Sequence, residues 1–308
     1  MDKFSQYLKM APLTLDGGMG SELEQQNINV DNNLWSASAL IQSPGTIAKI
    51  HQHYFDAGAQ GAITDTYQAH VATFLAQGFD SHKAYELIDT AVHLAKEGLA
   101  LSTQDDGLII GSVGPYGAYL ANGAEYTGDY HLSKQAYQDF HRQRIERLVP
   151  DGVDLIGLET MPNFTEAQAL AELLETEFSE TPAYLSFSIR DGNTLCDGTS
   201  LATAVGYFEK YAQIKAIGVN CTAPDNILTA LQAIQPQTTK QIIIYPNAGD
   251  TYDPQTKQWV DDYGPIDWQN LVPQWLNQGA TIIGGCCRTT PKDITAIKQA
   301  IDSWCRKV

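Results

Sequence analysis

Two adjacent cysteines close an apolar segment near the C-terminus, in the stretch GATIIGGCCRTTP at residues 279–291. A third cysteine, Cys221, ends another apolar, β-branched segment, and both segments are typical of buried parallel strands. Three thiolates suit Zn²⁺, which in catalytic sites leaves one coordination position open. Cys221, Cys286 and Cys287 are therefore predicted as metal ligands and catalytic residues. We expect the glycines at 284–285 to supply the unusual backbone that turns both neighbouring sulfurs towards one ion. The alternative is that these cysteines are small buried hydrophobes.

Eight apolar segments must position these thiols, and each is followed by a helix-like stretch with apolar residues at helical spacing. The predicted strands are residues 13–17, 61–66, 107–114, 153–160, 183–189, 216–221, 241–247 and 280–285. Eight alternating strand and helix pairs over 308 residues predict an α/β fold, a (β/α)8 TIM barrel that forms a single domain over 1–308. A doubly wound open sheet is the alternative architecture.

Polar residues stand at the ends of the predicted strands, where the active site of such a barrel lies. Asp16, Glu159 and Asn220 end three of them, and Tyr67 follows a fourth. Two long, aromatic-rich connections, 115–132 and 248–265, are predicted to cover the site as lids.

Composition excludes several classes of partner. The chain has 19 Lys and Arg against 36 Asp and Glu, a net charge of −17, which repels nucleic acid and anionic membrane surfaces. No apolar run reaches the length of a membrane span, and the first residues lack the apolar core of a signal peptide. Five cysteines make a disulfide framework improbable, so we expect a cytoplasmic protein.

The remaining thiols and imidazoles receive structural interpretations. Cys196 is expected to be a loop or surface thiol, and Cys305 is expected to pack within its helix. Four histidines in helical segments are expected at the surface: His51, His53, His93 and His141. Roles for Asp65, His70 and Arg288 stay open.

Six motifs together resemble the homocysteine S-methyltransferase family: LDGGMGSELE, GSVGPYGAYLANGAEYTGDY, DLIGLETMPN, GVNCT, YPNAGDTYD and GGCCRTTP. They occur in family order along essentially the whole chain. The form of the GPYGAYL loop, and the end of the chain just after the eighth helix, are most similar to the S-methylmethionine–homocysteine methyltransferases. The chain departs from the short family members at ITDTYQAH, where those often read ITASYQAT.

The resemblance implies a zinc-dependent barrel that moves a methyl group from a sulfonium donor, S-methylmethionine or S-adenosylmethionine, to the thiol of homocysteine. It implies zinc ligation by Cys221, Cys286 and Cys287, and places Asp16, Glu159 and Asn220 on the homocysteine side. It also implies small-molecule substrates only, and a monomer, because the C-terminal extension of the betaine-using relatives is lacking.

A cationic donor then needs a host in the site. Ring faces of Trp35, Tyr67, Tyr116 and Tyr119 are predicted to attract the sulfonium, and Glu125 is the candidate partner of the donor ammonium. The alternatives are betaine or another methyl donor at the same site, or a non-catalytic barrel that binds zinc and thiols.

Overall fold

A computed structural model of the chain describes residues 1–30, 32, 34–253, 258–260 and 263–307, with the backbone alone at 251–253 and 258–260. Its strands are β1 Leu13–Thr14, β2 Gly61–Ile63, β3 Leu108–Val113, β4 Leu155–Met161, β5 Ala183–Phe187, β6 Ile189–Asp191, β7 Thr194–Leu195, β8 Ile214–Asn220, β9 Gln241–Tyr245, β10 Thr251–Asp253, β11 Gln258–Val260 and β12 Ala280–Ile283.

Eight of these strands form a parallel sheet in the order β1-β12-β9-β8-β5-β4-β3-β2. A parallel bridge between Leu15 and Gly61 joins the two ends, so the sheet closes on itself. The predicted (β/α)8 barrel is confirmed, and the open doubly wound sheet is wrong. The two antiparallel pairs, β6 with β7 and β10 with β11, lie in loops beyond the barrel strands.

The described part of the chain contains more helices than the eight predicted, because short ones occupy the loops. The helices are α1 Lys3–Tyr7, α2 Met19–Gln25, α3 Ala39–Gln42, α4 Pro44–Asp56, α5 Val71–Ala76, α6 Ser81–Leu101, α7 Tyr116–Tyr119, α8 Lys134–Leu148, α9 Phe164–Glu177, α10 Leu201–Phe208, α11 Pro224–Ile234, α12 Trp268–Asn277 and α13 Pro291–Cys305. The eight long ones, α4, α6 and α8–α13, each follow one barrel strand and form the outer ring.

Local signals in the sequence explain where these helices begin and end. Pro44 opens α4, where its missing N–H costs nothing, and Gly58 takes a left-handed φ of 104° just after its end. A reciprocal capping box between Thr290 and Asp293 starts α13 directly after the cysteine pair. That cap holds the carboxyl end of β12 against its helix.

The barrel interior is a second apolar core, separate from the one between sheet and helices. Leu108 and Ile110 of β3 point inward with period two, and Phe4 and Tyr7 of α1 pack into the same cluster. The next inward position of β3 is Ser112, which is polar and buried. The inner face of β3 therefore changes from apolar to polar as the strand approaches its carboxyl end.

Some predicted surface positions are wrong. His51 and His141 are fully buried between helices, whereas His53 and His93 are exposed as predicted. Burial alone lowers the pKa of His51 to about 4, so it is a neutral packing residue. Cys196 lies in a turn but is buried against the Ser188 hydroxyl, 3.4 Å away. Cys305 is exposed at the end of α13 and does not pack.

Among the described helices, none has both the length and the apolar character that a bilayer span requires.

Candidate active site and metal centre

A cavity opens at the carboxyl ends of the barrel strands and encloses about 900 Å³, counted to its mouth. The residues that line it come from the ends of most barrel strands and from the loop that follows β3: Gly17, Gly18, Met19, Gly20, Ser21, Trp35, Ser36, Ile63, Thr64, Asp65, Tyr67, Gln68, Ser112, Glu125, Tyr126, Glu159, Thr160, Cys221, Tyr245, Gly285, Cys286 and Cys287. No Lys, Arg or His occurs among these described lining residues.

The three predicted cysteines meet on one side of this cavity. Their sulfurs all lie within 4.8 Å of one another, and Cys221 Sγ is 3.6 Å from Cys287 Sγ. Cys221 follows β8 and the other two follow β12, strands separated only by β9 in the sheet. A cluster of three thiols at such separations can hold one metal ion.

The backbone that turns the sulfurs inward differs from the one predicted. Neither glycine at 284–285 adopts positive φ; instead Cys221 and Arg288 do, at 49° and 64°. The glycines serve a different purpose, because a Cβ on Gly285 would stand 2.2 Å from Thr289 Oγ1. A non-glycine residue with a left-handed φ, such as Cys221 or Arg288, is strained by about 1 kcal/mol or more. The packing around the cysteines must therefore hold these two residues in place.

The three thiols share their ionisation. Hydrogen bonds from Cys286 and Cys287 lower the pKa of Cys221 well below its usual range, while the same contacts and burial raise the pKa of the other two. Ionisation is therefore favoured at Cys221 and opposed at Cys286 and Cys287.

A polar layer lies beneath the cavity, built from the last inward position of several strands. Glu159 accepts hydrogen bonds from the hydroxyls of Ser112 and Tyr245, the latter at 3.1 Å. Tyr245 lies 2.6 Å from the hydroxyl of Ser186, which donates to Asn220 Oδ1 at 2.6 Å. Burial raises the pKa of Glu159 to about 7.

Asn220 and Asp16 lie behind the cavity wall rather than on it. The Asn220 amide exchanges two 2.8 Å hydrogen bonds with Thr160, accepting from its backbone N–H and donating to its hydroxyl. It thereby fixes a residue whose φ is 58°. Asp16 accepts from the backbone N–H of Ile63 at 2.7 Å, and its other oxygen has no partner within the described part of the chain. Burial, together with the charge of Glu159, raises the pKa of Asp16 well above its usual range.

The loop after β3 covers the thiols, as predicted for 115–132. Its 3₁₀ turn, Ala124–Tyr126, brings the Tyr126 hydroxyl to 3.6 Å from Cys221 Sγ. Glu125 lines the cavity, and one of its oxygens has no hydrogen-bond partner among the described residues. Burial raises the pKa of Glu125 to about 7. Tyr126 was not singled out from the sequence, although it stands next to Glu125 in the same motif.

The four predicted aromatic residues separate into two groups. Trp35 and Tyr67 line the cavity. Tyr116 and Tyr119 do not; they belong to an aromatic cluster outside it, in which Tyr116 stands edge-on to Phe140 at 5.0 Å between ring centroids. The prediction that Tyr116 and Tyr119 lie in the site is wrong, because the sequence of a short loop helix does not show which of its sides faces the cavity.

Three residues with open roles now have definite contacts. His70 caps α5 through Nδ1 and stacks on Phe140 at 3.8 Å, so it does not reach the cavity. Arg288 forms an ion pair with Asp250 at 2.6 Å, which ties the cysteine loop to the segment after β9. Asp65 lines the cavity and accepts a hydrogen bond from the Ser36 hydroxyl.

A buried charged network supports the lid loop, and sequence reasoning missed it. Arg144 of α8 donates to the backbone carbonyls of Thr66, Tyr67 and Gly114 at 2.7–2.9 Å.

Glu166 of α9 is the second part of that network. It accepts from the backbone N–H of Tyr116 at 2.6 Å, from His141 Nε2 at 2.7 Å, and from the Tyr130 hydroxyl. His141 links it to Arg144, 3.3 Å away. The Glu166 carboxylate thus binds Tyr116 and Tyr130, which stand at the two ends of the loop that carries Glu125. The only sequence signal was a charged residue at a helix position that faces the barrel.

Comparison with known proteins agrees with this geometry. The family model of homocysteine S-methyltransferase matches residues 13–301. The homocysteine S-methyltransferase of Escherichia coli K12 is 46% identical over 93% of this chain and 94% of its own length, and homocysteine S-methyltransferase 3 of Zea mays is 41% identical over 96% and 91%. The metallated form of the E. coli homocysteine methyltransferase MmuM superimposes with a TM-score of 0.83 at 44% identity, over 93% of this chain and 95% of that one.

A (β/α)8 barrel with a three-cysteine cluster at its carboxyl rim is thus the class that fold and site define. Within that class, the chain belongs to the homocysteine S-methyltransferase family.

Proposed function

We propose that the protein transfers a methyl group from a sulfonium donor, with S-methylmethionine preferred over S-adenosylmethionine, to the thiol of L-homocysteine, and that a zinc ion in the three-cysteine site takes part. The observation that carries the proposal is the cavity itself. Three thiols stand at one side of it, and carboxylates without any basic side chain form the rest of its charged lining among the described residues. Such a lining favours cationic substrates.

The donor set fits zinc. Three sulfur ligands within 4.8 Å of each other match the soft, tetrahedral preference of Zn²⁺ and leave one ligand position for a substrate. Cys221, Cys286 and Cys287 would hold the ion, and the E. coli relative has been solved in a metallated form. Bound zinc would supply a Lewis acid that keeps the homocysteine sulfur ionised at neutral pH.

Glu159 is proposed to bind the homocysteine ammonium from the floor of the cavity. Ser112 and Tyr245 hold its two oxygens, so the carboxylate has a fixed orientation. Burial raises its pKa to about 7, so a substrate ammonium in contact with Glu159 would favour the ionised carboxylate. Asp16 and Asn220 act from behind: the first holds the backbone of Ile63 at the end of β2, and the second fixes Thr160 beside Glu159.

The lid and the opposite wall are proposed to hold the donor. Trp35 and Tyr67 can place ring faces against a sulfonium, an attraction of about 0.5–2 kcal/mol each. Glu125 adds a buried carboxylate near Cys221, and negative charge on Cys221 contributes to the raised pKa of Glu125. Closure of the 115–132 loop excludes water, which favours the neutralisation of a thiolate by a sulfonium.

The overall transfer balances without a general acid. The S–CH₃ bond of the sulfonium breaks, a new S–CH₃ bond forms on homocysteine, and the thiol proton is released to solvent. The leaving group is a neutral thioether, so with S-methylmethionine both products are methionine. The main contribution of the protein is to hold both sulfurs in line.

We also propose that residues 1–308 form one barrel domain, since the eight barrel strands from β1 to β12 form one closed sheet and the eight long helices from α4 to α13 surround it.

A donor panel tests the proposal. Zinc-loaded protein is incubated with homocysteine and S-methylmethionine, S-adenosylmethionine or betaine at equal concentration, and methionine is quantified. S-methylmethionine should give the highest kcat/KM, and C286A should give none. A highest value with betaine would overturn the donor assignment, and no methionine from any donor would favour a non-catalytic barrel.

A further inference from the structure

One cavity residue, Asp65, is not used by the function proposed above. It follows β2, and β2 and β8 are four strands apart in either direction around the eight-stranded ring. Asp65 and Cys221 therefore lie on opposite sides of the barrel mouth, and both line the cavity. A ligand whose sulfur end lies at the thiols would extend its other end towards Asp65.

The carboxylate of Asp65 has an unmet hydrogen-bonding capacity. Asp65 is 3% exposed, and one of its oxygens accepts from the Ser36 hydroxyl. The other oxygen is buried and has no hydrogen-bond partner among the residues that the structure describes. A buried carboxylate oxygen that lacks a hydrogen-bond donor destabilises the ionised form. This destabilisation is removed when a ligand brings a cation into hydrogen-bonding contact.

Asp65 lies apart from Glu125 in the cavity. Glu125 directly precedes Tyr126, whose hydroxyl lies 3.6 Å from Cys221 Sγ, so Glu125 lies on the sulfur side. The pKa of Asp65 is raised to about 6 by burial and is opposed only by the Ser36 hydrogen bond. The reacting sulfonium is thus the neighbour of Glu125, and a more distant cation is the match for Asp65.

The surroundings of Asp65 suit an ammonium group. Trp35 and Ser36 are consecutive residues of one 3₁₀ turn, Trp35–Ser38, and both line the cavity beside Asp65. Gly20 keeps that turn close, because a Cβ there would stand 2.8 Å from the Trp35 indole nitrogen. Carboxylate, hydroxyl and indole together offer hydrogen-bond acceptors and an aromatic face, which an –NH₃⁺ group can use at once.

We propose that Asp65, with Ser36 and Trp35, forms a subsite for the α-ammonium of an amino-acid-type methyl donor and selects such donors over sulfoniums that lack an ammonium. The inference rests on the proposed function and deepens it. It reassigns the donor ammonium from Glu125, the candidate taken from the sequence, to Asp65. It also moves Trp35 from the sulfonium to the ammonium, and leaves Glu125 and Tyr67 facing the sulfonium.

Two sulfonium donors separate these roles. S-methylmethionine carries an ammonium, and dimethylsulfoniopropionate carries the same dimethylsulfonium without one. With homocysteine held constant, D65N should lower kcat/KM for S-methylmethionine about 10- to 100-fold, mainly through KM, because a charge-assisted hydrogen bond is lost. The drop with dimethylsulfoniopropionate should stay below about 3-fold. E125Q is the matched control, and should slow both donors to a similar extent.

The outcomes are decisive. A D65N variant that slows both donors equally, or neither, overturns the subsite. If the wild type uses neither sulfonium, the proposed function fails, and the subsite is then judged by binding. S-methylmethionine should raise the Tm of wild type more than that of D65N, and dimethylsulfoniopropionate should shift both equally. Equal shifts with S-methylmethionine would overturn it.

Discussion

Cys221 Sγ lies 3.6 Å from Cys287 Sγ although 66 residues separate the two in the chain. β8 and β12 place both at one rim, and the strained left-handed conformation of Cys221 turns its sulfur to the others. The cluster is therefore a product of the barrel closure and not of the local CC sequence alone.

Replacement of one cluster cysteine should abolish metal retention. C286A leaves two thiols, too few for a tight zinc site, so we expect less than about 0.1 zinc per chain where the wild type carries about one. Elemental analysis after gel filtration measures this. C196S, which removes another buried thiol, is the control and should retain zinc. Full zinc content in C286A would show that the cluster is not the site.

Zinc binding should release about two protons at pH 7. Only Cys221 has a lowered pKa, whereas the pKa values of Cys286 and Cys287 are raised, so these two thiols must ionise when the metal enters. Calorimetric titration of metal-free protein in buffers of different ionisation enthalpy gives the number. A binding enthalpy that does not depend on the buffer would contradict the expected ionisation of Cys286 and Cys287 on zinc binding.

The buried Glu159 carboxyl should lower the free energy of unfolding as the pH rises from acidic to neutral values. Its folded pKa, about 7, lies above the ordinary value of 4.5, so the folded state binds the extra proton. The contribution of Glu159 to the unfolding free energy therefore falls as pH rises from about 4.5 to about 7, by roughly 3 kcal/mol in total. The E159Q variant should not show this pH-dependent loss of stability.

Urea unfolding of metal-free protein at pH 5 and pH 8 checks that sign. The wild type should lose more stability than E159Q over the interval, while E159Q loses most of its affinity for homocysteine. The same pH dependence in both proteins would rule out an elevated pKa at Glu159.

The Glu166 network should support the lid more than the barrel. E166A leaves His141 without its buried acceptor and removes the negative charge that stabilises the buried Arg144 guanidinium, so it should destabilise the protein by about 3–5 kcal/mol. E166Q retains the volume and should mainly raise the KM of the donor, because the grip on Tyr116 and Tyr130 weakens. E177Q, at the exposed end of the same helix, is the control and should cost less than about 1 kcal/mol. Equal effects of E166A and E177Q on the urea midpoint would contradict the network's role.

Sequence reasoning found the barrel and the thiols because both are written as repeating or clustered patterns. The apolar strand segments are a local signal, and so are Pro44 and Gly58 at the two ends of a helix. Cys221 and Cys286 were recognised because strand ends of a parallel barrel converge at one rim.

Residues whose role depends on side-chain direction could not be found in this way. Tyr116 was assigned to the site, but its ring faces Phe140, while Tyr126 reaches Cys221. His141 was expected at the surface, yet it is buried by its contact with Glu166. Such partners are brought together by helix packing, which no local pattern encodes.

The central claim, methyl transfer from a sulfonium to homocysteine, is tested most directly by isotope tracing. Homocysteine with a ¹³C-labelled carbon chain is incubated with unlabelled S-methylmethionine and zinc-loaded protein, and the methionine formed is analysed by mass spectrometry. Each turnover should yield one labelled and one unlabelled methionine, a 1:1 ratio within error, and C286A should yield neither. Absence of labelled methionine with S-methylmethionine, when betaine gives it readily, would contradict the proposed reaction.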